Sequence, residues 1–224
     1  MNPVRFFKEL RFRWFYALLT RPSVPLTTHG DVCQWTIAGG GLGPASTVLC
    51  AGAGHDISFE KALLAAYGCK VILLDPSPTG IATVRRENIP AGQLRFLPVA
   101  LAGQDGRLKF QAPEDFLEGS FRAESHGTET GLEFPTRSLV SLMNEFGFRH
   151  IDLLKMDIEG CEYAVLTNLL AERLDVRQIC VEFHHGRAFG HSRNETIRAI
   201  FRLRRAGYDL VHRHHQDHTF LRRQ

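Results

Sequence analysis

The 224-residue sequence has no CxxC pair, no long uninterrupted apolar run and almost no excess of one charge. Its five cysteines, Cys33, Cys50, Cys69, Cys161 and Cys180, are odd in number and lack redox-motif spacing. That pattern favours a reduced, cytoplasmic setting over a disulfide framework. Cys50, Cys69 and Cys180 stand in apolar runs, where a thiol packs as a small hydrophobe. No run approaches the roughly 20 apolar residues of a membrane-spanning helix. A net charge of +3 gives no basis for a nucleic-acid binder, which concentrates basic residues in a stripe. The N-terminal RFFKELRFRWFYALLTR lacks the clean apolar segment and small-residue cleavage site of a secretory signal. It reads as a helix packing Phe6, Leu10, Trp14 and Leu18 onto the domain. Peripheral membrane contact through this basic, aromatic helix is the alternative.

What is present is ordinary globular composition, 44% hydrophobic, arranged in a regular alternation that begins near Thr47. TVLCA, KVILLD, LRFLPVAL, IDLLKMDI and QICVEFHH read as apolar strands, and YDLVHRH and HTFLRR as a closing pair joined by a short polar turn. Helical spacing marks ISFEKALLAAYG, SPTGIATVRRENI, TRSLVSLMNEFG, CEYAVLTNLLAERL and NETIRAIFRLRRAG, the last starting at a cap on Asn194. GQDGRLKFQ reads as a small hairpin turning at Asp105-Gly106. Residues 112–134 are polar and aperiodic, the character of a functional loop. Apolar strands alternating with helices predict an α/β fold, a doubly wound and mostly parallel seven-stranded sheet ending in an antiparallel hairpin. Residues 45–224 form the expected domain, and 1–44 an N-terminal helix with a lead-in of short turns or strands.

Such sheets bind ligands at the carboxyl ends of their strands. The first strand ends in VLCAGAGHD, where Gly52 and Gly54 flank Ala53 and permit a tight turn with close backbone approach. Asp75 ends the second strand at a spacing suited to bonding ribose hydroxyls, followed by Pro76. The third glycine of the dinucleotide fingerprint is absent, with Ile57 in its place, which fits a nucleoside cofactor without pyrophosphate. VLCAGAGHDISFE, VILLDPSP, LLKMDIEGCEYAVL and ICVEFHHG together resemble the FkbM-type family of class I S-adenosylmethionine-dependent methyltransferases, with a Rossmann-like fold, over roughly residues 45–222. The resemblance implies S-adenosylmethionine as cofactor, held by Gly52, Ala53, Gly54, Asp75 and Pro76, with Ala100 framing the adenine. Cys50 departs from the acid that many class I enzymes place there for the methionine amine. Asp56 either takes over that contact or caps the next helix.

Three carboxylates, Asp157, Glu159 and Glu162, crowd the end of the fourth strand. A helix start accounts for Glu159 and Glu162 through the helix dipole. Asp157 and Lys155 share a strand face and need another reason. Glu182, His184 and His185 end the fifth strand nearby. The favoured reading is His184 as general base, oriented by Asp157 or Glu182, with Lys155 balancing charge. A satisfied polar pair ranks next, and a divalent metal on Asp157, Glu182 and His184 third. Glu159, Arg122, His126 and His185, with Glu129, are the candidate substrate contacts. The tail histidines His212, His214, His215 and His218 read as a solvated turn. The resemblance implies O-methylation of a hydroxyl on a small molecule or glycan. A nucleotide-dependent oxidoreductase and a non-catalytic binding module on the same fold are the alternatives.

Overall fold

The computed structural model describes residues 16, 19–21, 24–90, 92–112, 121–123 and 131–223. Two short strands, β1 (Thr27–His29) and β2 (Trp35–Ile37), pair antiparallel ahead of the alternating region. Then follow β3 (Thr47–Ala51), α1 (Ser58–Tyr67), β4 (Lys70–Leu74), α2 (Pro78–Glu87) and β5 (Leu94–Leu97). After a second small sheet come α3 (Leu139–Phe146), β10 (Ile151–Met156), α4 (Glu162–Ala171), β11 (Val176–Glu182), α5 (Arg193–Arg205), β12 (Tyr208–His214) and β13 (Asp217–Arg222).

The main sheet is mixed, with seven strands in the order β12-β13-β11-β10-β3-β4-β5. β13 runs antiparallel to both neighbours, while the pairings among β11, β10, β3, β4 and β5 are parallel. The two-residue period of a strand sends alternate side chains to opposite faces. Leu49, Ala51, Leu154, Met156 and Val181 therefore pack with α3, α4 and α5, through Leu142, Leu169 and Leu203 among others. Val48, Cys50, Leu73, Leu153 and Cys180 pack on the other face with Phe59 and Leu63 of α1 and with Trp35 and Ile37 of β2. Every residue of β10 is buried, because layers cover both of its faces.

Helix starts follow the side-chain chemistry. Ser77 Oγ accepts from Gly80 N ahead of Pro78, and Ser138 Oγ accepts from Ser141 N. Ser192 and Glu195 form a reciprocal capping box, so α5 begins one residue before the expected cap at Asn194.

Three sequence expectations are corrected. LRFLPVAL is two strands rather than one, because Pro98 has no N–H to continue the ladder and the chain leaves the main sheet after Leu97. The second piece, β6 (Ala100–Leu101), pairs parallel with β9 (Leu132–Arg137). Residues 103–111 form no hairpin of their own. β7 (Gly106–Gln111) pairs antiparallel with β9 and with β8 (Arg122–Ala123), giving a four-stranded sheet β6-β9-β7-β8. The span 112–134, expected as an aperiodic loop, contributes β8 and the first residues of β9 to that sheet.

The β1–β2 pair is fixed to the main sheet by Thr219 Oγ1 donating to the Thr36 carbonyl and by Ala38 N donating to Gln178 Oε1. Phe6, Leu10, Trp14 and Leu18 lie outside the described residues. Among those described, Tyr16 is buried beneath the Arg213 guanidinium, 3.8 Å from its ring centroid, and no helix is long and apolar enough to cross a membrane.

Candidate active site

From β3 the sheet grows outward through β4 and β5 on one side and through β10 and β11 on the other. The crevice expected at such a reversal lies over the carboxyl ends of β3 and β10. Gly52 stands there with φ +91°, and a Cβ at this position would collide with the Asp157 carbonyl oxygen. Only glycine lets the two strand ends meet so closely. Gly54 also has positive φ, +49°, and a Cβ there would meet open space.

Asp75 holds this turn. Its Oδ2 accepts from Ala53 N at 2.8 Å and Gly54 N at 3.0 Å, and its Oδ1 accepts from Ser77 N at 2.7 Å. An ionised carboxylate has about four acceptor sites, so about one is left for a ligand hydroxyl rather than two. A cavity of about 300 Å³ opens at the turn, the lower end of the range for small-molecule sites. Gly52, Ala53, Gly54, Asp56, Asp75 and Pro76 line it, with Ala100 and Phe110 from the second sheet and Phe121 just before β8. Lys155, Asp157 and Glu159 complete the opposite wall. The small sheet thus forms one side of the cleft, a role the sequence pattern did not disclose.

Asp56 serves the helix start. Its carboxylate accepts from Ser58 N, Ser58 Oγ and Cys33 N. The carboxylate beside Cys50 comes instead from Glu60 of α1, which is 1% exposed and interacts with both Cys50 and Lys155. Lys155 is buried, donates to the Gly52 carbonyl at 2.6 Å and lies 5.6 Å from the Trp35 ring centroid. Burial pulls its pKa down, but Glu60 and Asp157 outweigh burial and hold it above the ordinary lysine value. This lysine is a fixed cation bracing the Gly52 turn.

The carboxylates at the β10 edge divide differently from the expected pattern. Glu162 is fully buried, and its side chain folds back to accept from Ile158 N and Gly160 N. It wraps the turn in which Glu159 takes the left-handed conformation, φ +54°. Glu162 Oε1 is also 2.7 Å from His184 Nδ1. The orienting partner of His184 is therefore Glu162, not Asp157 or Glu182, and Glu162 is more than a helix-dipole residue. The other ring nitrogen, Nε2, faces Glu159 Oε2 at 3.6 Å, Asp157 Oδ1 at 3.8 Å and Glu182 Oε1 at 3.9 Å. Burial pushes the His184 pKa down, yet the Glu162 bond and the surrounding charges raise it to about 10. The carboxylates around it thus favour the protonated ring so long as no other cation balances them. Burial and the Asp157 charge push Glu182 up to about 7.

The remaining candidates are dispersed. Arg122 lies on β8 with its guanidinium 5.5 Å from the Phe189 ring centroid, while Ala123 N donates to the Glu159 carbonyl. His126 and Glu129 lie outside the described residues. His185 turns away from the cleft to Thr196 Oγ1 and lines a separate cavity of about 1070 Å³ with Arg193, Arg213 and His218. His218 is 2% exposed among aromatic rings, so this part of the tail is core rather than a solvated turn. Glu60 and Glu162 are the site residues missed from sequence. The one signal for Glu162 was its place in the first helical turn beside two other acids.

Residues 48–210 match the family described as the methyltransferase FkbM domain. The 2-O-methyltransferase NoeI of Sinorhizobium fredii is 25% identical over 173 residues, covering 70% of this chain and 69% of NoeI. A probable methyltransferase-like protein 24 of Rattus norvegicus is 42% identical over 64 residues, 27% of this chain and 18% of that protein, so the match spans under a fifth of the rat relative. The crystal structure of methyltransferase FkbM from Methylobacillus flagellatus KT superposes with a TM-score of 0.51 at 14% identity, covering 93% of this chain and 50% of that one, and shares the fold.

Proposed function

The chain belongs to the FkbM methyltransferase family, and from that premise we propose that it transfers a methyl group from S-adenosylmethionine to a hydroxyl of a small molecule or glycan. The observation that carries this reading is the cleft itself, where the Gly52–Gly54 turn, Asp75 and Ala100 share one cavity with Asp157 and Glu159. The turn suits a cofactor without phosphates. All three of its amides are engaged, Gly52 N with the Leu74 carbonyl and Ala53 N and Gly54 N with Asp75, and have no hydrogen left for a pyrophosphate. This counts against the dinucleotide-dependent oxidoreductase.

S-adenosylmethionine supplies an already electrophilic methyl group, so the protein's task is alignment and proton removal. The GxG turn, Asp75, Pro76 and Ala100 would hold the nucleoside, with Phe110 and Phe121 excluding water from one side. Lys155 keeps the turn in place from beneath. An acceptor hydroxyl must lose its proton as its oxygen gains a methyl group. Asp157 and Glu159 line the cavity wall, which supports reading them as the carboxylates that take it. The hydroxyl acceptor draws support from the relative named as a 2-O-methyltransferase.

A screen with methyl-labelled cofactor across hydroxylated small molecules and glycans tests this. Transfer to a hydroxyl that falls at least about a hundredfold in Asp157→Asn or Glu159→Gln is the expected result. Cofactor binding without transfer to any acceptor would instead favour a binding module.

A further inference from the structure

We propose that Asp157, Glu182 and His184 bind one divalent cation of the Mn²⁺ or Zn²⁺ kind at the carboxyl edge of β10 and β11. One ligand atom from each residue lies within 4.8 Å of the other two. His184 Nε2 is 3.8 Å from Asp157 Oδ1 and 3.9 Å from Glu182 Oε1. These gaps are too long for hydrogen bonds. They exceed the spacing of adjacent metal ligands by roughly 0.5 Å, a gap that small side-chain rotations about a common ion would close. Metal–ligand bonds of about 2.1 Å place adjacent ligands about 3.0–3.4 Å apart and opposed ligands about 4.2 Å apart.

The imidazole supplies a second, independent observation. The His184 side chain is 7% exposed, and its Nδ1 is anchored on Glu162 Oε1 at 2.7 Å. Its Nε2 points at the carboxylates, the nearest oxygen being 3.6 Å away, and has no hydrogen-bond partner among the described residues. A carboxylate on one ring nitrogen with the other nitrogen presented inward is how histidine metal ligands are commonly oriented. One imidazole and two carboxylates suit a first-row divalent ion, with coordination positions left open. Asp157 also lines the cofactor cavity. An ion there would face the acceptor hydroxyl and lower its pKa, leaving Glu159 to take the proton. That role rests on the methyl-transfer reading, whereas the binding of the ion does not.

The test uses the full chain after EDTA treatment and dialysis, titrated with Mn²⁺ and, separately, Zn²⁺ by calorimetry. Bound Mn²⁺ is also examined by pulsed electron paramagnetic resonance. One equivalent per chain, nitrogen coupling from an imidazole, and about tenfold or greater weakening in Asp157→Asn and in Glu182→Gln are expected. No binding at millimolar ion, no nitrogen coupling, or equal affinity in both variants overturns the proposal. So does binding that survives these changes and disappears in a His214→Ala, His215→Ala double variant. The wild-type spectrum decides the matter even where a variant fails to fold. Cofactor titration of the same metal-free protein separates the two readings. Cofactor binding without ion binding removes only the metal site, and ion binding without cofactor binding removes only the methyl-transfer reading.

Discussion

His218 offers a pH test of the packing behind the site. The ring is 2% exposed, with ring centroids of Phe183 at 5.1 Å and Tyr16 at 5.3 Å. Its Nδ1 is 2.7 Å from the Gln216 carbonyl, which makes Nδ1 the donor, and Nε2 is buried with no partner among the described residues. Burial, reinforced by the positive charge of Arg213, pushes its pKa down to about 3 from an ordinary value of 6.5. The folded state therefore favours the neutral ring. Below pH 6.5 the unfolded chain binds a proton that the native protein refuses, so stability is full above 6.5 and falls as pH drops toward 3. At pH 5 the loss is about 2 kcal/mol, and its limit below pH 3 is about 5 kcal/mol. His218→Phe keeps a ring among rings and removes the titration. Urea unfolding of both proteins at pH 7.5 and pH 5 should show the stability difference, wild type minus variant, shrinking by about 2 kcal/mol between the two conditions. A difference unchanged within a few tenths would mean that His218 ionises freely in the native protein, and the buried-ring argument would be wrong.

Gly52→Ala forces a side chain into the left-handed region and against the Asp157 carbonyl. It should cost about 1–3 kcal/mol in strain alone, read from chemical denaturation, and abolish cofactor binding; wild-type binding would refute the close-approach argument. Glu162→Gln breaks a fully buried ion pair and the acceptor set of the 158–160 turn, so stability should fall by about 3–5 kcal/mol at pH 7. A loss under about 1 kcal/mol would show that His184 does not depend on it. Of the five thiols only Cys33 is exposed, so a thiol reagent should modify one cysteine in the native protein and the other four only on unfolding. Rapid native modification of a second would place a buried cysteine wrongly.

The central sheet was legible because β3, β4 and β10 are apolar runs covered on both faces, and helical spacing told their partner helices apart. The GxG turn and Asp75 were legible because the strand-end rule says where to look. The four-stranded sheet was hidden for two reasons. Its pairings are non-local, Gly106 opposite Thr136 among them, and β7 is mostly exposed, so no apolar run betrays it. Pro98 carried the signal for the broken strand, since a residue without an N–H cannot extend an interior ladder. The partnership of Glu162 with His184 joins a helix start to a strand end through a tertiary contact, which strand periodicity alone does not reach. For the same reason the period of two placed Lys155 with Asp157 yet gave no hint that Glu60, reaching in from α1, is its counter-charge.

The central claim is that the crevice over β3 and β10 binds S-adenosylmethionine, and calorimetric titration of the purified chain tests it most directly when Gly54→Asn is run beside the wild type. Asparagine tolerates the positive φ at residue 54, and its side chain would enter the open space at the cavity wall. One sub-millimolar site in the wild type, lost in a Gly54→Asn protein with unchanged thermal melting, is the predicted result. No binding at millimolar cofactor, or equal binding by both proteins, would contradict the account.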